Sequence, residues 1–156
     1  MELDHARLDA LLLNSIASNF DRTIYNEFRK GLLRHIAIEE KLLFPTAKSE
    51  AKTAKLVARL RLQHGALAAL IVPAPNEKIA NALKDMLALH NQLEEGIEGV
   101  YHTIEHLSDH PMTLLDSVIA YPNVPLSSAI DKLIDLAPVF RAMERAGFEP
   151  KKYFEL

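Results

Sequence analysis

The sequence predicts an all-α protein: an antiparallel up-down-up-down four-helix bundle with a small helical extension at the C-terminal end. Three observations support this fold class. Apolar residues recur at helical spacing in four segments of residues 1–107. Two of these segments repeat one pattern, a histidine followed four positions later by a glutamate, within a two-helix unit that occurs twice. Alternation of apolar and polar residues, which is typical of a half-buried strand, is absent from the sequence over any useful length.

The first two predicted helices form the first unit. Apolar spacing predicts a helix over Leu3–Ser18, with His5 in its first turn. Asp21 is a good N-cap for a second helix that runs to about Phe44. At about 1.5 Å per residue, His5 and His35 both lie roughly 20 Å from the shared turn. In an antiparallel hairpin the two histidines should therefore lie at one level.

The next two predicted helices form the second unit. One runs from about Thr53 to Val72 and carries His64, and the other spans residues 77–107 and carries His90. Counted from their shared turn, these two histidines differ in height by about 7 Å at helical rise. A longer end of the first helix of this pair, or a non-helical start to the fourth helix, would absorb that difference.

Residues 108–156 have no counterpart in the first part of the chain and are predicted to form a helical appendage on a bundle of residues 1–107. An amphipathic helix is expected over 126–146, bent or interrupted near Pro138, with Gly147 just after its end. We interpret this helix as a cap on the bundle or a homodimer contact.

Composition narrows the function further. The 156 residues include no cysteine, which excludes disulfides, thiolate metal sites, iron–sulfur clusters and cysteine nucleophiles. The net charge of −3 gives no reason to expect a nucleic acid or an anionic membrane as partner. No apolar run approaches the roughly 20 residues of a membrane span, and the first residues lack the pattern of a signal peptide. We therefore expect a soluble cytoplasmic protein.

Six polar residues fall on helix faces that are otherwise apolar: His5, His35, Glu39, His64, His90 and Glu94. Each would cost several kcal/mol if it were buried without a partner, whereas a shared metal centre explains the burial of all six. A carboxylate can bridge two cations about 3–4 Å apart. The histidines of each unit would then bind one ion, both glutamates would bridge the ions, and open positions would remain for a small molecule such as O₂. Mixed nitrogen and oxygen ligands suit iron, manganese or zinc.

The same residues resemble the hemerythrin-like family, also called the HHE cation-binding domain. The matching residues are His5, His35-x-x-x-Glu39-Glu40 with the following Leu42-Leu43-Phe44-Pro45, Gln63-His64, and His90-x-x-x-Glu94-Glu95. The resemblance covers about residues 1–107. It implies a four-helix bundle holding two non-haem iron ions, bridged by two carboxylates and an oxo or hydroxo oxygen. Hemerythrins that carry oxygen use five histidines, and four align here, so the resemblance favours a role in O₂, NO or iron handling over reversible O₂ carriage.

Three functional hypotheses follow. The first is a di-iron protein that binds O₂ or a related diatomic molecule for sensing, scavenging or iron homeostasis. The second is a metal-free helical interaction or dimerisation domain. The third is a di-iron oxidoreductase that reduces peroxide or NO or repairs iron centres, although no acid or base beyond the ligands can be assigned. Ferritin-like chemistry ranks lower, because it uses Glu-x-x-His on two helices and only Glu2 and His5 have that spacing here.

Several neighbours of the predicted ligands have less specific expectations. Tyr101 lies two turns after Glu94 on the same helix face and is predicted to be an ordinary core tyrosine, with a hydrogen bond to the site as the alternative. Ile97 is expected to point inward with it. Glu40 and Glu95 point about 100° away from the adjacent ligands and are expected in solvent, with Glu40 as a possible spare ligand.

Overall fold

The computed structural model describes residues 1–49, 51–127 and 135–155. These residues form helices and no strands, which confirms the all-α prediction. The α-helices are α1 (Glu2–Ala17), α2 (Arg22–Ile38), α3 (Phe44–Ala47), α4 (Ala51–Leu70), α5 (Glu77–Glu95), α6 (Val100–Leu107), α7 (Pro111–Ile119) and α8 (Ala137–Arg145). A π-helical turn, Glu39–Leu43, joins α2 to α3, and a 3-10 turn, Pro150–Lys152, follows α8.

The long helices α1, α2, α4 and α5 form the bundle. Helix α1 packs against α2 and α5, and α4 packs against α5. The side chain of Asp21 accepts hydrogen bonds from the first backbone N–H groups of α2, and Asn76 caps α5 in the same way. Gly31 allows α1 and α2 to approach closely, because a Cβ atom there would lie 2.8 Å from Leu8 Cδ2.

Two apolar clusters fill the bundle, one on each side of a polar layer. The cluster nearer the α1–α2 and α4–α5 turns includes Leu8, Leu12, Phe28, Leu32, Leu67, Leu83 and Met86. The other includes Ile38, Phe44, Val57, Leu60, Val100 and Ile104. On each of the four long helices, the predicted ligands lie where one apolar cluster ends and the other begins. The polar layer is therefore enclosed by hydrocarbon above and below.

The prediction of one continuous fourth helix is wrong. Helix α5 ends at Glu95, and α6 begins at Val100 after a non-helical segment that contains two glycines. Only glycine fits at position 99, since a Cβ atom there would lie 2.3 Å from the Glu94 backbone oxygen. Ile97, which was expected to point inward, lies in this break and is 92% exposed. The second helix is also irregular, because the π turn interrupts it before Phe44.

The connection between α4 and α5 resolves the difference in height within the second unit. Residues 71–76 are non-helical, and extended chain spans about 3.3 Å per residue against 1.5 Å in a helix. A few such residues are enough to absorb a mismatch of about 7 Å. His64 and His90 accordingly meet side by side.

The predicted C-terminal helix lies partly outside the described residues, which omit 128–134. Its described part begins at Ala137, so Pro138 lies in the first turn of α8. Gly147 follows the helix with a φ of +85°, as predicted for a residue just past a helix end. The apolar face of α8 packs against α4 within the chain. The domain boundary at residue 107 and the homodimer stay predictions.

Membrane insertion can be judged on helix length and hydropathy. Within the described residues, no helix combines the length and the apolar character that crossing a bilayer requires.

Candidate metal centre

The structure brings all six predicted ligands into one buried layer, where each is at most 4% exposed. They form two overlapping groups of four, and within each group the donor atoms lie within 4.8 Å of one another. The first position is defined by His5, His35, Glu39 and Glu94. The second position is defined by His64, His90, Glu39 and Glu94. Both glutamates therefore belong to both positions, as the sequence predicted.

Each position contains a facing pair of imidazoles. In the first, His5 Nε2 lies 2.9 Å from His35 Nε2. In the second, His64 Nε2 lies 3.2 Å from His90 Nε2. Two nitrogens that both bind one transition-metal ion at about 2.1 Å are themselves roughly 3 Å apart. The facing pairs therefore have the separation that a shared ion requires.

The two buried carboxylates extend one oxygen toward each pair. Glu39 Oε1 lies 3.2 Å from His35 Nε2, and Glu39 Oε2 lies 3.1 Å from His64 Nε2. Glu94 repeats this arrangement. Its Oε1 lies 3.2 Å from His90 Nε2, and its Oε2 lies 3.3 Å from His5 Nε2. Such spanning carboxylates are the bridging ligands of two-metal sites.

Every imidazole of the layer also has an acceptor on its other nitrogen, Nδ1. The pairs are His5 with Glu95, His35 with Asp4, His64 with Glu40, and His90 with Gln63. Carboxylate and amide oxygens only accept hydrogen bonds, so Nδ1 carries a hydrogen and Nε2 can present a lone pair. Metal-binding histidines are usually fixed in this tautomer by such partners. All four Nε2 atoms therefore face the carboxylates and can each present a lone pair to a metal ion.

Glu40 is half-buried, contrary to expectation, whereas Glu95 is exposed as expected. Each nevertheless accepts a hydrogen bond from a histidine on another helix. A residue 100° away from the bundle axis lies at the seam with the neighbouring helix, where it can reach that helix. The repeated Glu-Glu of both units was a signal for this role. Asp4 directly precedes His5 but bonds to His35, and Gln63 directly precedes His64 but bonds to His90. These contacts between helices depend on tertiary structure and could not be predicted from the sequence.

Tyr101 is also part of this layer. Its hydroxyl donates a hydrogen bond to Glu39 Oε1 and lies 3.1 Å from Glu94 Oε2 and 3.2 Å from His5 Nε2. Burial and the two carboxylates raise the pKa of this phenol. The prediction of an ordinary core tyrosine is therefore wrong, and the structure supports the alternative of a polar contact with the site.

Buried polar atoms without a partner indicate that the layer suits a cation. Within the part of the chain that the structure describes, Glu39 Oε2 and Glu94 Oε1 are buried and accept no well-aligned hydrogen bond. Both glutamates are fully buried, and buried anionic oxygens are costly unless they are paired or bind a metal. The donor set, imidazole nitrogens with carboxylate oxygens, fits first-row transition metals. These six residues could therefore hold two metal ions.

The charges of the layer change how its groups bind protons. Burial acts to lower the pKa of His35, but Glu39 and Asp4 raise that pKa to about 10. Burial acts in the same direction on His64, whereas Glu39 and Glu40 raise its pKa to about 9. Burial alone would raise the pKa of Glu39, and the imidazoles instead hold it well below its usual range. In metal-free protein at neutral pH, His35 and His64 are therefore expected to be protonated on both ring nitrogens.

Metal uptake is expected to release these protons. A metal ion needs the Nε2 lone pairs, so His35 and His64 together should release about two protons when both positions are filled near pH 7. Because the histidine pKa values are raised, metal affinity should increase with pH up to about 9–10. Below that range, affinity should fall about tenfold per released proton for each pH unit. Calorimetric titration in buffers of different ionisation enthalpy counts the protons, and uptake without proton release at pH 7 would contradict this account.

Comparisons with known proteins agree with the residues of the layer. The family model described as the Hemerythrin HHE cation binding domain matches residues 1–121. Neither a curated protein nor a solved structure matches the chain. The matched range contains all six predicted ligands, their Nδ1 partners and Tyr101. Family and geometry together support a metal-binding protein.

Proposed function

We propose that this chain, which belongs to the hemerythrin HHE cation-binding domain family, holds two iron ions in its buried layer and binds O₂ or a related diatomic molecule there. One observation carries the proposal: two groups of four donors share Glu39 and Glu94. Two ions held so close together can act on one small molecule. This binding would serve sensing, scavenging or iron homeostasis.

The donor set suits iron. Each position offers two imidazole nitrogens and two carboxylate oxygens, without the thiolates that favour softer metals. Four protein donors leave coordination positions open on an ion that prefers six ligands. When bound, the iron pair supplies the redox chemistry that diatomic binding needs. Manganese and zinc suit similar donors and are tested beside iron below.

The protein residues hold and orient the donors and keep water away. The Nδ1 partners fix each imidazole, so the Nε2 atoms remain directed at the positions before any ion arrives. The Phe44 ring stacks on the His64 ring, with centroids 5.2 Å apart and an interplanar angle of 2°. The apolar clusters on both sides lower the local dielectric constant, which strengthens the interactions between donors and cation.

Two surface clefts reach residues of the layer. One of about 380 Å³ is lined mainly by apolar residues, including Leu3 and Ile104, together with Tyr101 and two glutamates, Glu2 and Glu105. The other, of about 540 Å³, is lined by His5 and Glu95 and carries further acidic side chains. We infer that the more apolar cleft, which reaches Tyr101, suits approach of an uncharged diatomic molecule, whereas the more acidic cleft at His5 and Glu95 suits loading of a cation.

Anaerobic reconstitution tests the proposed function. Metal-free protein is incubated with Fe(II), Mn(II) or Zn(II) without oxygen, unbound metal is removed, and metal is counted per chain. We expect about two irons per chain and, after exposure to air, charge-transfer absorption in the near ultraviolet. Anaerobic addition of NO to the Fe(II) protein shows whether a second diatomic molecule binds. Protein that takes up no metal would refute the proposal.

A further inference from the structure

The two halves of the metal centre match residue by residue, apart from a few substitutions. The aromatic ring that follows the bridging glutamate stacks on the first histidine of the opposite unit in each half. Phe44 stacks on His64 with ring centroids 5.2 Å apart, and Tyr101 stacks on His5 with centroids 5.8 Å apart and an interplanar angle of 25°. The two rings thus occupy corresponding places, and only Tyr101 carries a hydroxyl.

That hydroxyl lies among the donors of the first position. It hydrogen-bonds Glu39 Oε1 and lies 3.1 Å from Glu94 Oε2 and 3.2 Å from His5 Nε2. The other donors of this position are separated by similar distances, 2.9 Å between the two imidazole nitrogens and 3.2 Å between His35 Nε2 and Glu39 Oε1. A hydroxyl that only supported a carboxylate from outside would not also approach the metal-facing nitrogen of His5.

We propose that the Tyr101 phenol oxygen is a fifth protein ligand of the ion in the first position. This inference rests on the proposed function, because it requires that the layer holds metal. When the ion binds, the phenol O–H bond breaks, its proton passes to bulk water in addition to the two released by His35 and His64, and an oxygen lone pair forms the bond to the metal. No electron is transferred in this step.

The proposal makes the two positions unequal. The first has five protein donors, and the second has four, since Phe44 offers no oxygen. The Nδ1 partners differ in the same direction, because His35 bonds to the carboxylate of Asp4 whereas His90 bonds to the amide of Gln63. The first position is therefore richer in anionic donors and favours the ferric state. The second retains more open coordination and is the place where the diatomic molecule binds.

Spectroscopy of the iron-loaded protein tests this assignment. Phenolate bound to Fe(III) gives charge-transfer absorption in the visible range and, on excitation there, resonance Raman bands of the phenolate ring. We expect both in the air-oxidised wild-type protein with two irons per chain. Tyr101→Phe should lose both while retaining two irons, since all six other ligands remain. Tyr25→Phe, which removes a different buried hydroxyl, should retain them.

The outcomes separate this inference from the proposed function. If wild-type protein with two irons shows no phenolate Raman bands, or if Tyr101→Phe leaves them unchanged, Tyr101 is not a ligand, while the di-iron proposal stands. If no iron binds, both proposals fail. The wild-type spectrum decides the point even if the variant does not fold. Incorporation of ring-deuterated tyrosine, which shifts the frequencies of phenolate modes, identifies the bands in the unmodified sequence.

Discussion

Replacing Glu94 with glutamine is expected to abolish binding of both metal ions. Glu94 extends one oxygen toward each imidazole pair and is fully buried, so one substitution changes both positions. Glutamine has nearly the same shape as glutamate but lacks its negative charge, and its NH₂ group cannot serve as a second bridging oxygen. Metal content should fall from two ions per chain to none under conditions that saturate the wild-type protein.

Elemental analysis measures that loss, and thermal unfolding provides an independent readout. At a metal concentration 100 times Kd, binding should stabilise the wild-type protein by about 2.7 kcal/mol per site, whereas Glu94→Gln should gain nothing. Glu98→Gln is the matched control, because Glu98 is exposed and lies just after the same helix. Helical circular dichroism confirms that the variants are folded. Two ions retained by Glu94→Gln would contradict the shared bridge.

The six candidate ligands could be predicted to share one layer because helical spacing is a local property. A histidine and a glutamate four residues apart lie on one helix face in any context, so His35 with Glu39 and His90 with Glu94 could be recognised without tertiary information. The repeat then suggested that the two pairs face each other. By contrast, the hydrogen bond from His35 to Asp4 joins α2 to α1, and its existence depends on how these helices rotate against each other.

Tyr101 could not be placed because the chain leaves the helix before reaching it. In a continuous helix, Tyr101 would lie about 10 Å along the axis from Glu94. The break between α5 and α6 instead brings its hydroxyl within 3.1 Å of Glu94 Oε2. The first unit departs from the α-helix at the corresponding point, through the π turn that begins at Glu39. Such π turns are common at functional sites, and here both irregularities place an aromatic ring over a histidine of the other unit.

Asp4→Asn is expected to weaken binding at the first position by about 10- to 100-fold, the usual effect of removing the partner of a ligating histidine. Asp4 Oδ2 accepts the Nδ1 hydrogen of His35 at 2.9 Å. Burial acts to raise the pKa of Asp4, but His35 and Arg7 lower it to about 2, so the carboxylate remains charged at neutral pH. Asparagine can still accept the hydrogen bond through its amide oxygen but cannot increase the basicity of the imidazole as a carboxylate does.

The second position provides a built-in test of this reasoning, because its corresponding residue is already an amide. Gln63 Oε1 accepts the Nδ1 hydrogen of His90 at 2.9 Å, so Gln63→Glu should strengthen metal binding there as Asp4→Asn weakens it at the first. Asp116→Asn, at an exposed site on α7 outside the polar layer and both clefts, should leave affinity unchanged. Competition against a chelator of known affinity measures all three variants. Equal affinities in Asp4→Asn and wild-type protein would mean that the charge of Asp4 does not affect metal affinity. The predicted difference between the two positions would then depend on Tyr101 alone.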